Sequence, residues 1–593
     1  MRRKSLLWAG IGMVAATAPL LAQHQNFYVG AIATGQLNLS TTVTLSSANG
    51  ATQSSQFMAP RSLGAEAIEV PRSVLFAPER FRAGQGLMRS RISLSSALQA
   101  SSTQSLTVNP ASSAFGFMGL THYDQRNANA GNQFSVEPPS QGLAVGNGYV
   151  VEGVNNAIQI YDTSGNPLLS TVLATNQVFG VSPAIDRNTG IQGVYPTDIR
   201  VFYDQTLNKF FILQRSQDND IFGNELPSSH IYIAVSQTGD PTGTYNVYSM
   251  NTTNPSHFGC PCISDYPEIG ADQYGIYLTW NEYTSGLQFF DAVVFAISKS
   301  SLAANAATPT AFQFFVPFST GYEFAIQPAT TPPGGGYYLA NGGLEYFVSS
   351  LKSSSVDSNL ALWSLSNTSS LGTISPGLSL VETIVPTELF TAPGISNQQP
   401  GPTPYGTSLG RSLEFLDGGD SRVQSVVYVG GRLYTTQETL LLDDNGHFVI
   451  GCAYVILSPI FRGSVLNAPV QRQGYFYVNG NHLLRPAIAV NTQAQGAIVF
   501  TLVGPNYYPS AAFVPISAST TGSTVQIAGT GAFPEDGFSG YASFGNPVAR
   551  WGDYSAAFAA SDGSIWMATE YIPNAPRTQL ANWGTYVIKY TAQ

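Results

Sequence analysis

Residues 550–572 read RWGDYSAAFAASDGSIWMATEYI, and the parsing of this stretch decides the fold. A charged and aromatic cluster opens it: Arg550, Trp551, Asp553 and Tyr554. A small apolar strand follows, Ala556 to Ala560. A tight turn comes next, Ser561 to Gly563, and then a second strand, Ile565 to Tyr571. Gly563 suits the turn because a residue without a Cβ accepts positive φ without a clash. Cluster, strand, turn and strand form a plan that recurs along the chain.

Copies of the plan start near residues 142, 197, 264, 323, 422 and 484. The first reads as three short strands with turns at Asn147-Gly148 and at Thr163 to Asn166. The second, from Thr197, continues into SHIYIAVSQ and TYNVYSM, joined by the strong turn GDPTG. The copies near Glu323 and Arg422 are weaker, and the one at Leu484 is clearer. Seven repeats of about four strands, with six as the alternative, predict an all-β fold, a β-propeller whose blades bury one another's faces. AVVFAI (292–297) and GAIVFTL (496–502) are apolar on both faces, as stacking between neighbours requires. Such strands argue against an outer-membrane barrel, which alternates strictly between lipid and lumen. Two separate β-sandwiches are the remaining all-β alternative. The propeller is expected over 131–593, with a Ser/Thr/Pro-rich loop insertion near 366–412.

The N-terminus predicts export. Arg2, Arg3 and Lys4 precede an apolar run from Leu6 to Leu21, and a cut after Ala22 makes residues 1–22 a signal peptide. The run is short for a retained membrane anchor, and no later segment is long and apolar enough to span a bilayer. Loss of three positive charges and no negative ones moves the formal net charge from −10 to −13. Nucleic acid is therefore not an expected partner. Charged residues are only 10% of the chain, so Ser, Thr, Asn, Gln and Gly must cover much of the surface. Residues 23–130 are rich in Ser, Ala and Thr and read as a poorly ordered N-terminal extension. Three cysteines remain, and Cys260-Pro261-Cys262 looks too tight to close on itself. The expected disulfide joins Cys452 to Cys260 or to Cys262.

Six segments carry a further likeness: PPSQGLAVGNGYVVEGVNNAIQIYD, TDIRVFYDQTLNKFFI, IYIAVSQTGDPTGTYNVYSM, SDYPEIGADQYGIYLTWNEY, RVQSVVYVGGRLYTTQET and RWGDYSAAFAASDGSIWMATEY. Together they cover about 138 to 593. They resemble a family of large exported bacterial β-propeller-like proteins, distantly sialidase-like. The resemblance implies the propeller and export, and carries no catalytic residues with it.

Single motifs say little about chemistry. Gly406-Thr407-Ser408-Leu409-Gly410 matches the nucleophile elbow, but nothing around it reads as a strand-to-helix turn. Asp562-Gly563-Ser564-Ile565-Trp566 is one residue short of a sialidase Asp-box and reads as a hairpin turn. No cofactor and no metal site are expected. Calcium is the one ion left open, at Asp417-Gly418-Gly419-Asp420 or Asp443-Asp444-Asn445-Gly446.

Alignment of the repeats yields the candidate site. Asp198, Asp265 and Asp553 stand just before first strands, and Glu323, Arg422 and Arg485 occupy similar places. Tyr266, Arg550 and Tyr554 lie beside them. If first strands are innermost, these side chains ring one mouth of the channel, either as a paired network or as a ligand site. The expected function is a monomeric binding or interaction module at or outside the cell surface, for a glycan, a protein or a small anion. Catalysis is left open. The alternatives are a purely structural surface protein and a sialidase-like glycoside hydrolase. The hydrolase would use Arg422, Arg485 and Arg550 on a carboxylate, Asp265 as acid, and Tyr266 or Tyr554 as nucleophile.

Overall fold

Short antiparallel strands dominate the computed structural model, which describes residues 26–28, 33–48, 103–284, 288–317, 319–350, 356–462, 465–541 and 548–592. The expected signal peptide, 1–22, lies outside them. Seven sheet units are traced among the described residues. Their first strands are Gln141–Gly146, Tyr195–Asp204, Cys262–Ala271, Gln327–Thr330, Ser425–Val429, His482–Val490 and Ala556–Ala559. The turns fall where small or amide residues permit them: Asn147 has φ 51° and Gly563 has φ 80°.

The first strands touch in chain order, and Ala556–Ala559 lies against Gln141–Gly146, so the row closes into a ring. This closure makes the fold a β-propeller. Units four and five are also bonded into one sheet, since Ala329 and Thr330 pair in parallel with Val426 and Val427.

The core is divided among the joints between units. Val151 and Ile158 of unit one meet Ile199 and Phe210 of unit two. Phe211 and Ile233 meet Leu278 and Phe295 across the next joint. Val294 meets Phe347 and Trp363, and Val348 meets Val426 and Leu433. Phe476 meets Ile488 and Phe500, Val499 meets Ile565 and Met567, and Trp566 meets Leu143 and Val150. A strand in the middle of a unit therefore buries both faces, which is why AVVFAI and GAIVFTL show no polar alternation.

Within the stretch expected to be a poorly ordered extension, the described residues include short strands that join the sheets. Asn38–Thr44, Ala33–Thr34 and Asn26–Tyr28 add outer strands to units two, three and four. Thr103–Ser105, Thr107–Asn109 and Phe115–Thr121 do the same for units five, six and seven. The segment thus runs around the outer rim and covers edges that would otherwise expose unpaired backbone. Residues 49–102 lie outside the described residues. The loop insertion expected near 366–412 also changes, because Ser379–Phe390 is the fourth strand of unit four.

The disulfide expectation is overturned. Cys260 bonds Cys262, with Cα atoms 4.5 Å apart, which is within the reach of a disulfide. Cys452 is a free, buried thiol in the apolar cluster between units five and six, while the other two cysteines open unit three. No helix among the described residues is long and apolar enough to cross a membrane.

Candidate functional site

The mouth is built by a repeated backbone device. Register slips between Thr197 and Ile199, between Asp265 and Glu268, and between Leu484 and Ala487. At each slip one residue is left-handed: Asp198 at φ 56°, Tyr266 at 54° and Arg485 at 54°. Ala325 at φ 50° and Gly552 at 47° take the same conformation in units four and seven. Bulges of this kind re-aim side chains near the ends of strands. A left-handed non-glycine residue costs about 1–2 kcal/mol, so each must be held by its neighbours. Ala325 N–H is held by Asn281, and Arg485 N–H by Glu438, both from the second strand of the preceding unit.

A dry layer lies deepest. Arg485 donates to the carbonyls of Trp551, Gly418 and Asp417 and pairs with Glu438 at 3.3 Å. Arg200 pairs with Glu268, to which Gln327 also donates, so three successive first strands are linked. The Arg200 guanidinium lies 3.1 Å from the centroid of the Tyr554 ring. Burial pushes the Glu268 and Glu438 carboxyls up to about 7 despite their arginines. Removal from water outweighs the attraction of the partner charge here.

A shallower layer keeps contact with water. Arg215 bridges Asp198 at 2.6 Å and Asp265 at 3.2 Å. Arg422 grips Asp420 with Nε and Nη2, at 2.7 and 2.5 Å, and lies over Tyr266 and Phe324. Burial works to raise Asp420, but the Arg422 charge and hydrogen bonds hold it below the usual carboxylate range. Arg550 meets Asp553 at 3.4 Å and donates to the Glu137 carbonyl. Side chains here are 14–24% exposed in the Arg422–Asp420 pair, against 0% for Glu438.

The structure brings Asp198, Asp265, Tyr266, Arg422, Arg485, Arg550, Asp553 and Tyr554 into neighbouring ion pairs and ring contacts. The Glu323 carboxylate accepts N–H bonds from Ser319, Thr320 and Gly321 in its own loop. Tyr554 O–H donates to the Ile199 carbonyl, and Tyr266 packs edge-on against Tyr554 at 5.7 Å. Sequence reasoning missed Arg200, Arg215, Glu268 and Glu438, and named Asp420 only as a possible calcium ligand. Arg215 and Glu438 lie on second strands, which a search of first-strand starts passes over.

Loops beside Arg550 add buried acids that no motif announced. Glu137 Oε2 accepts from Ser539 N–H, and Glu535 Oε1 from Gly537 N–H. Asp536 accepts from Tyr405 and Gly406 N–H and pairs with Arg577 at 2.7 Å. A Cβ on Gly537 would stand 1.6 Å from Glu137 Oε1, so any other residue there would have to displace that carboxyl. Burial pushes Glu137 up to about 7, and burial followed by the Glu137 charge pushes Glu414 up to about 8. Glu414 Oε2 and Glu535 Oε2 are buried with no hydrogen-bond partner among the described residues.

No protein-family model matches the chain, and no curated protein does. Solved structures show distant likeness. A GH43 endo-arabinanase from Bacillus licheniformis is 11% identical over 55% of this chain and 94% of its own, with a TM-score of 0.24. A Trypanosoma rangeli sialidase in complex with sialic acid is 10% identical over 69% and 56%, with a TM-score of 0.31. The NanB sialidase from Streptococcus pneumoniae is 11% identical over 81% and 70%, also at 0.31. Likenesses this distant carry no argument about activity, and the fold rests on the closed ring of sheets.

Proposed function

We propose that the chain is an exported propeller, its seven units being the blades, that binds a glycan on the face bearing the charged mouth. One observation supports this most: Arg215, Asp265, Asp420, Arg422, Arg550 and Asp553 each keep 14–24% of their side chains exposed, on the face where exposed aromatic rings project. Phe222 sits in the turn after Lys209–Asn219, and Phe258 just before Cys262–Ala271, and both are largely exposed. First strands begin at the mouth and second strands return to it, so both rings lie on that face. Charged donors and acceptors suit sugar hydroxyls, and an exposed ring offers a flat apolar surface to a sugar's C–H face.

A glycan array probed with the purified protein tests the proposal. Binding should appear, and Arg422→Ala should abolish it while the fold is retained. An array without binding, or binding indifferent to Arg422, would overturn it.

A hydrolase is the second reading, and one observation favours it. Glu414, at about 8, keeps its proton at neutral pH and has an oxygen without a described partner, as a proton donor needs. The sialidase-like roles find less support, since Arg422, Arg485 and Arg550 each face an acid of their own. Turnover of any chromogenic glycoside, lost in Glu414→Gln, would favour this reading over simple binding.

A further inference from the structure

The loop that opens unit three holds a cluster that the mouth does not use. His257 Nδ1 stands 3.9 Å from Cys260 Sγ, 3.6 Å from Glu282 Oε2 and 3.5 Å from Asp291 Oδ2. Cys260 Sγ is 3.7 Å from Glu282 Oε2. Glu282 ends the strand Gly275–Thr284, and Asp291 faces it in register from Phe289–Ser298. Both carboxyls are buried, and among the described residues their one ion-pair partner is His257. Asp291 Oδ1 is buried without a hydrogen-bond partner among the described residues.

The geometry matches a metal better than a proton network. Zinc bonds of about 2.0–2.3 Å in a tetrahedron set ligand atoms about 3.3–3.8 Å apart. The three separations among His257 Nδ1, Cys260 Sγ and Glu282 Oε2 span 3.6–3.9 Å. The surroundings also fix the ligands in place. The His257 ring stacks on Phe315 at 3.8 Å, and Asn254 donates to Glu282 Oε1, leaving Oε2 toward the cluster. Such outer partners orient metal ligands.

We propose that His257, Cys260 and Glu282 form a divalent transition-metal site, of zinc type, that the Cys260–Cys262 disulfide closes and reduction opens. The thiolate is the ligand, and the disulfide withholds it. A dithiol reductant transfers two electrons and two protons to the Cys260–Cys262 bond, giving two thiols, and leaves as its own disulfide. Metal binding then displaces the Cys260 thiol proton to solvent. One nitrogen, one sulfur and one oxygen supply three ligands and leave the fourth tetrahedral position to water, which suits zinc among the first-row ions. The inference is independent of the glycan reading.

Equilibrium dialysis against zinc, followed by metal analysis, tests it on the full chain with and without phosphine reduction. The reduced protein should take up one equivalent, and the disulfide form should bind at least about ten-fold more weakly. Cys262→Ala frees the Cys260 thiol, so it should bind zinc with no reductant. In that background His257→Ala should weaken binding at least about ten-fold. Cobalt in place of zinc should give a thiolate charge-transfer band that Cys260→Ser removes. Melting curves report whether each variant is folded, and the wild-type comparison needs no variant. Equal uptake by oxidised and reduced protein, no uptake by either, or uptake unaffected by His257→Ala in a folded variant would overturn the proposal.

Discussion

Arg485 shows how the mouth is held together. Its guanidinium serves three backbone carbonyls and Glu438, and neither partner of that pair is open to water. Arg485→Ala would orphan a buried acid and three carbonyls, a loss of about 3–5 kcal/mol. Asp265→Ala should cost no more than about 1 kcal/mol, since Arg215 keeps Asp198 and Asp265 is 17% exposed. Denaturant melts of both variants check this contrast, and equal losses would contradict the two-layer mouth. The buried acids bear on pH. Unfolded glutamates ionise near 4.3, whereas burial holds Glu137 and Glu438 up to about 7 and Glu414 up to about 8. Between those values the folded state binds more protons, so stability falls as pH rises from about 4.5 to about 8. Glu414→Gln should flatten part of this slope, and thermal melts at intervals from pH 5 to pH 8.5 would show it.

Strands and edges carry the next lesson. The rim strands of the N-terminal segment contribute little core: Asn38–Thr44 is largely exposed or half-buried. Their work is backbone pairing along the outer strands, as when Thr103–Ser105 runs parallel to Val470–Tyr477. A chain truncated before Gly131 would lose all six rim strands and present their former partners as open edges. It should fold less stably and self-associate more than the full chain. Size-exclusion chromatography of the two decides this, and a truncated monomer of unchanged stability would show that the rim is dispensable. Ser379–Phe390 gives the same message, because SLVETIVPTELF sits within a polar, Pro-bearing stretch and yet completes a sheet.

At the scale of the whole ring, closure joins chain ends. Phe115–Thr121 pairs with Gly584–Tyr590, and unit seven then rests on unit one. Glu152 is the polar clasp of this joint. Its carboxyl accepts from Leu120 N–H at 3.1 Å, from Thr585 O–H at 2.6 Å and from Tyr161 O–H at 3.1 Å. Burial raises its pKa, so the clasp depends on these donors. Glu152→Ala should cost about 1–3 kcal/mol for each donor left unsatisfied in the dry joint. Hydrogen exchange should then rise first at the amides of units one and seven. Exchange that rises evenly around the ring would show that closure is not localised there.

The repeat itself was legible in residues. Alternating short strands, Asn-Gly and Asp-Gly turns and doubly apolar segments such as AVVFAI are local signals, and they predict stacked β units without any knowledge of contacts. The candidate site residues were chosen on the same ground, that equivalent places in a repeat lie near one another, while Glu323 is held by the N–H groups of its own loop. What sequence could not contain was partnership across distance. Arg215 bridges acids of two units, and Glu137 meets a loop some 400 residues later. Cys452, the expected disulfide partner, is held in a dry joint between units five and six. The rim strands likewise depend on edges that exist only once the sheets have formed. Local propensity and repetition specify the units, while pairing of charges, thiols and strand edges is settled by which surfaces the closed ring brings together.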